Sequence, residues 1–158
     1  VMSERVDIAN VFVFGVGYRA NAFAAVLRES GTRISATCRS AEKQAALIAQ
    51  GINAHVFDRD HPLDDDGRAA LDQASHLLSS VPPDDQGDPG VDLHAQDILK
   101  AAPFDWIGYL STTGAYGACD GDWVVETAPM APSGTRWPGR VDAEAAWFAR
   151  APAAPCHL

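Results

Sequence analysis

The stretch Val11-Phe12-Val13-Phe14-Gly15-Val16-Gly17-Tyr18-Arg19-Ala20 decides how the rest of the chain is read. Its first four residues are β-branched or aromatic and run without a polar break, as in a strand buried on both faces of a parallel sheet. The run stops at two glycines and passes directly into a helical pattern. Gly15 permits a tight turn, Gly17 leaves room for a pyrophosphate to approach the backbone, and the small Ala20 lets the next helix pack close on the strand. The spacing G-x-G-x-x-A, with a strand before it and a helix after it, points to dinucleotide binding. Glycines that serve only the turn are the competing reading.

Downstream, Ala22, Phe23, Val26 and Leu27 recur at helical spacing, and Gly31 suits a helix end. Over 33–39, Ile34, Ala36 and Cys38 alternate with Ser35 and Thr37, which predicts a second strand. Ser40 is a suitable N-cap for a helix over 41–50, closed by Gly51. A third strand is expected over 52–58, then an acidic loop around Asp64, Asp65 and Asp66, a short helix over 67–73 and a fourth strand over 76–81. Pro82 and Pro83 end that strand. After a polar loop at 84–90 come a helix over 91–102 and a fifth strand over 106–110. The segment 114–138 is rich in Gly, Pro, Ser, Thr and Asp and reads as a long loop of the kind that carries function. A last helix is expected over 140–150, and Cys156-His157-Leu158 opens a sixth strand.

Strands alternating with helices predict an α/β doubly wound parallel sheet, a Rossmann fold in a single domain over 1–158. Ligands of such sheets bind at the carboxyl ends of the strands. Those ends gather Gly15 and Gly17, Arg39 and Ser40, Asp58, 80–83 and 111–113 on one edge.

The chain has 158 residues, 12 Lys and Arg against 21 Asp and Glu, and a formal net charge of −9. That balance argues against a nucleic-acid partner, since phosphate backbones are held by clustered cations. Three cysteines, Cys38, Cys119 and Cys156, are too few and too scattered for a disulfide framework or a close metal-ligand cluster, so no metal site is expected. No apolar run approaches the roughly 20 residues of a membrane span, and no secretory leader is evident. A cytoplasmic protein without a membrane partner is the resulting expectation.

At the second strand's end a carboxylate would accept hydrogen bonds from a ribose 2′-hydroxyl, whereas a 2′-phosphate requires cations. Here the strand ends in Arg39-Ser40 with Lys43 nearby, favouring NADP, with NAD as the other cofactor considered. Solvated side chains are the alternative for Arg39 and Lys43. Arg19, inside the glycine turn, offers a further cation. Asp58 suits the adenine amino group or, equally, a loop hydrogen bond.

The glycine turn, Phe57-Asp58, Ser80-Val81-Pro82-Pro83 and Ser111-Thr112-Thr113-Gly114-Ala115-Tyr116-Gly117 together resemble the NAD-dependent epimerase/dehydratase family. This is the extended branch of the short-chain dehydrogenase/reductases, and the likeness is greatest to its atypical bacterial members. Glu126, Pro129 and Pro132 follow in an order similar to the family's later E-x-x-P pattern. The resemblance implies an NAD(P)-binding oxidoreductase whose cofactor touches Gly15, Gly17, Tyr18, Arg19, Ala20, Arg39, Ser40, Asp58, Ser80, Val81 and Pro82. It implies a small-molecule substrate, with nucleotide sugars as one class, and a homodimer as one assembly.

The family's catalytic hydroxyl falls on Thr112 or Thr113, and its Tyr and Lys, spaced Y-x-x-x-K, fall on Arg136 and Arg140 when counted back from Glu144. A guanidinium stays protonated, so Arg136 cannot exchange a proton as a phenol does. Arg140 retains a binding role toward a ribose hydroxyl. Tyr116 is the remaining candidate acid/base, with Glu126 and a helix-surface His94 behind it. Ser111 is expected to bond the backbone at the strand end. The family carries further strands and a substrate-binding region after the sixth strand. The chain is therefore expected to be a fold truncated after the start of that strand, either a piece of an enzyme or a protein that stops at the cofactor half. Arg136 and Arg140 in the Tyr and Lys positions motivate the alternative, a non-catalytic dinucleotide-binding or sensor domain, and the missing strands are expected to leave the edge of the fifth strand uncovered.

Overall fold

A computed structural model of the chain describes residues 8–101, 103–117, 121–125, 127–132, 138–150 and 156–157. Its strands are β1 (Asn10–Phe14), β2 (Arg33–Cys38), β3 (Asn53–Val56), β4 (His76–Ser79), β5 (Trp106–Tyr109) and β6 (Cys156–His157). Helices α1 (Tyr18–Glu29), α2 (Ala41–Ala49), α3 (Asp65–Asp72), α4 (Pro89–Ala101) and α5 (Pro138–Arg150) connect them, with a 3-10 turn at Thr113–Tyr116. The sheet order is β3-β2-β1-β4-β5-β6, and all its pairings are parallel. The chain thus reverses direction across the sheet between β1 and β4, which creates a crevice at their carboxyl ends.

β1 explains the layering. Its residues alternate between the two faces, so Phe12 and Phe14 enter one core and Val11 and Val13 the other. The Val face packs Ala20, Ala24 and Leu27 of α1 and Leu47 of α2. The Phe face packs Leu71 of α3, Val91 and Ile98 of α4, and Ala143 and Trp147 of α5. Phe14 meets Phe12 and Phe57 edge-on, with ring centroids at 5.0 and 5.4 Å, and Trp147 at 6.2 Å. Each such ring contributes roughly 1.5–3 kcal/mol by leaving water.

Element ends follow local chemistry. Ser40 caps α2 as expected, its Oγ accepting from the Lys43 N–H at 3.2 Å. Asp64 caps α3 in the same way through the Gly67 N–H at 2.8 Å, so this helix starts two residues earlier than periodicity alone suggests. Asp88 caps α4 through the Val91 N–H at 3.1 Å, which moves that start to Pro89, a residue suited to a first helical position. β4 stops at Ser79, leaving Ser80 and Val81 in the following loop. The expected open edge of β5 is corrected by β6, whose two residues pair with Ile107 and Gly108. Among the described residues no helix is long and apolar enough to cross a membrane.

Candidate functional site

Gly15 has φ +81°, a conformation that side chains disfavour, and a Cβ there would lie 2.9 Å from Val81 Cγ2 and 3.2 Å from the Val81 nitrogen. Only glycine fits both conditions. The turn is tied to β2: the Gly15 N–H donates to Thr37 Oγ1 at 2.7 Å and the Val16 N–H to the Thr37 carbonyl at 3.0 Å. Gly17 then stands at the N-cap of α1 with no side-chain cap and no acidic residue in the first turn. A Cβ on Gly17 would meet only Ser80 Oγ, at an ordinary 3.9 Å. Neither φ nor packing demands glycine at 17, whereas a group approaching the uncapped helix N-terminus would.

Around this turn lies a cleft of about 670 Å³. Its lining comes from the segments after four strands: Gly15 to Gly17, Cys38 to Ser40, Phe57 to Asp60, and Ser80 to Pro82 with Asp84. Of the residues anticipated for a cofactor, Gly15, Gly17, Arg39, Ser40, Asp58, Ser80, Val81 and Pro82 line it. Ala20 is fully buried beneath the turn, in its packing role. Tyr18 is 93% exposed at the start of α1 and is not among the lining residues; nor is Arg19.

The cleft is electrostatically uneven. Among the described residues, Arg39 and Lys43 have no ion-pair partner. On the other side Asp58 is engaged locally: its Oδ1 accepts from the Asp60 and His61 N–H groups at 2.9 Å each and lies 2.8 Å from His61 Nδ1. Those bonds, the His61 ring first, hold its carboxyl below the usual range. The loop role foreseen for Asp58 is thus the one its Oδ1 performs. Arg59 is bonded to Asp84 and Asp92. Burial raises the Cys38 thiol, which keeps it in the neutral form.

The residues anticipated for catalysis lie one strand away, after β5, and none of 111–116 lines the cleft. Thr112 caps the 3-10 turn, its Oγ1 accepting from the Gly114 N–H at 3.3 Å, while Thr113 is exposed and Tyr116 ends the turn. Ser111 corrects its expected backbone bond: its Oγ donates to Glu144 Oε2 at 2.6 Å, and that carboxylate is only 3% exposed. Arg140 packs beside them, Nη1 donating to the Leu110 carbonyl at 3.0 Å and reaching the Tyr109 hydroxyl at 3.4 Å. Burial raises the Tyr109 phenol. Arg136 and Glu126 lie outside the described residues.

His94 is likewise corrected. It is 1% exposed, its Nε2 accepting from the Leu63 N–H at 3.0 Å and its Nδ1 2.7 Å from Asp97 Oδ2. It is a core histidine that joins α4 to the segment before α3. Val91, His94 and Ile98 fall on one helical stripe, a spacing that would have flagged it as buried. Asp88, also missed, is buried, accepts from Trp147 Nε1 at 3.0 Å, and has its carboxyl raised by desolvation.

The sequence matches no family model and no curated protein. Solved structures do match. A functionally unknown conserved protein from Silicibacter pomeroyi is similar at 37% identity and TM-score 0.80, over 94% of this chain and 50% of that one. A candidate NAD-dependent epimerase/dehydratase from Methylobacillus flagellatus is similar at 18% identity and TM-score 0.67, over 95% of this chain and 52% of that one. UDP-glucuronic acid 4-epimerase from Bacillus cereus, a variant bound to a deoxyfluoro analogue of UDP-glucuronic acid and to NAD, is similar at 14% identity and TM-score 0.69, over 93% and 54%. The fold is therefore the α/β Rossmann fold found in epimerase/dehydratase and short-chain dehydrogenase/reductase proteins. The chain spans about half the length of the solved structures it matches.

Proposed function

We propose that this chain binds a nicotinamide dinucleotide in the cleft over Gly15 to Gly17, with NADP preferred to NAD. The observation that carries this reading is the uncapped start of α1 behind a glycine turn, with two cations at the next strand end that have no ion-pair partner among the described residues. A pyrophosphate on the first N–H groups of α1 satisfies donors that no side chain caps. Arg39 and Lys43 then suit a 2′-phosphate on the neighbouring ribose. Tyr18 and Arg19 begin α1 outside the cleft lining, and Ser80, Val81 and Pro82 line the cleft on the β4 side. The fold's occurrence in NAD-bound proteins supports the cofactor class.

The reaction in this reading is that of an atypical epimerase/dehydratase-like oxidoreductase acting on a small hydroxyl or carbonyl substrate, with nucleotide sugars as one class. Bound NADP would supply the hydride chemistry. Thr112 or Thr113 would hold a substrate oxygen, and Tyr116 is the acid/base candidate. Arg140 favours a second reading, a non-catalytic dinucleotide-binding or sensor protein. Its Nη1 bonds the Leu110 carbonyl, and a guanidinium does not release a proton near neutral pH.

Calorimetric titration of the protein with NADP and with NAD tests the binding claim, and the absence of binding by either contradicts it. Turnover that disappears in Tyr116→Phe while binding persists separates the enzyme from the sensor.

A further inference from the structure

The cleft's two far walls are joined by one side chain. Arg59, in the segment after β3, donates from Nε to Asp84 Oδ2 at 2.6 Å and from Nη2 to Asp84 Oδ1 at 2.8 Å. The same Nη2 donates to Asp92 Oδ2, in the first turns of α4, at 2.9 Å. One guanidinium therefore ties together three segments that are 25 and 33 residues apart. Surface ion pairs ordinarily contribute little, because solvent screens them and ordering two long side chains has an entropic cost. This one is partly exposed as well, at 20% for the Arg59 side chain and 40% and 38% for those of Asp84 and Asp92, but it is geometrically defined: the pair to Asp84 is bidentate and a second carboxylate completes the network.

The surrounding backbone is shaped to hold this arrangement. Asp84 Oδ1 also accepts from the Gln86 and Gly87 N–H groups at 2.9 and 3.2 Å, and Asp84 and Gly87 form an antiparallel bridge. Gly87 has φ +135°, and a Cβ there would stand 2.7 Å from Asp92 Oδ2. Its lack of a side chain is what lets Asp92 reach the guanidinium.

We infer that Arg59 is a positioning residue that clamps the post-β3 and post-β4 loops at the spacing an adenosine half requires. The inference rests on the dinucleotide reading: with the pyrophosphate on α1 and the ribose beside Arg39, the base falls between these two loops. Arg59 acts in this arrangement through the two carboxylates, which engage its Nε and Nη2. Its effect is on the width of the wall and so on the adenosine half alone.

The test uses calorimetry with NADP and with adenosine 2′,5′-bisphosphate, plus ligand-observed NMR with nicotinamide mononucleotide. The full chain is compared with Arg59→Met, Arg59→Lys and Asp92→Asn. Arg59→Met is expected to weaken NADP and the bisphosphate about tenfold or more, with the mononucleotide unchanged and Arg59→Lys intermediate. Affinities equal to those of the parent chain overturn the clamp, and so does equal weakening of all three ligands, which would mark a general loss of structure. If Arg59→Met fails to fold, Arg59→Lys and Asp92→Asn carry the same comparison. A parent chain that binds neither NADP nor the bisphosphate overturns the dinucleotide reading itself, a result distinct from a parent that binds and a variant that binds equally well.

Discussion

The ends of β1 and β2 and the end of β5 use polar residues in opposite ways. After the first two strands the chain leaves an open cleft, an uncapped helix N-terminus and two cations without ion-pair partners among the described residues. After β5 the polar groups bond one another: Ser111 to Glu144, Arg140 to the Leu110 carbonyl and the Tyr109 hydroxyl. Unmet donors beside a cavity mark a place that receives a ligand, whereas satisfied buried groups mark a place that holds the fold together. The difference teaches that binding and catalysis are separable claims for this chain.

The sharpest way to break the contrast is at the turn. Gly15→Val forces a branched side chain into positive φ and against Val81, at a cost of about 1–3 kcal/mol of stability from the backbone alone. Displacing the turn should lower dinucleotide affinity on the order of 100-fold. Thermal melts and calorimetry check both, and unchanged affinity would detach the turn from the ligand.

Next comes Arg39→Ala. Loss of a charge-assisted bond corresponds to about 1.5–3 kcal/mol, so NADP affinity should fall about tenfold or more while NAD affinity barely moves. Equal effects on both would show that Arg39 does not read the 2′-phosphate.

On the β5 side Glu144→Gln should do the reverse. It weakens a buried hydrogen bond from Ser111 and lowers stability by about 1–3 kcal/mol, with NADP affinity kept. Denaturant unfolding together with titration checks this, and lost affinity without lost stability would contradict the division between the two regions.

The smallest effect is on pH. Arg59, through its hydrogen bonds, holds the Asp84 carboxyl below its ordinary value. A depressed carboxylate contributes stability that is present above its unfolded value, about 3.9, and is lost as pH falls through the lower folded value. The pair is partly exposed, so the contribution is at most about 1 kcal/mol. Melts of the parent chain and Arg59→Met should converge as pH drops below about 4, and a gap that widens there would contradict the pairing.

What the sequence disclosed and what it hid follow a physical line. The strand 11–14, the glycine turn and the Ser40 cap are local: each depends on residues within one helical turn or one strand, and each is in place. Ala20 beneath the turn is legible for the same reason, since its size matters to the adjacent strand. The tie from Gly15 to Thr37, the Ser111 bond to Glu144 and the Arg59 network span 22, 33 and 25 residues. Such contacts arise only when strands align and helices dock, and periodicity does not record them. Asp88 shows the same limit, since its partner Trp147 lies 59 residues away on α5, whereas His94 carried a local signal of burial in the stripe it shares with Val91 and Ile98.

The central claim, that the strand-end cleft holds the dinucleotide, is tested most directly by backbone amide chemical shifts as NADP is added. The account predicts saturable changes concentrated at 15–20, 39–43, 58–60 and 80–84. Changes absent from those segments, or concentrated instead at the opposite sheet edge around Asn10, Arg33 and Asn53, would contradict it.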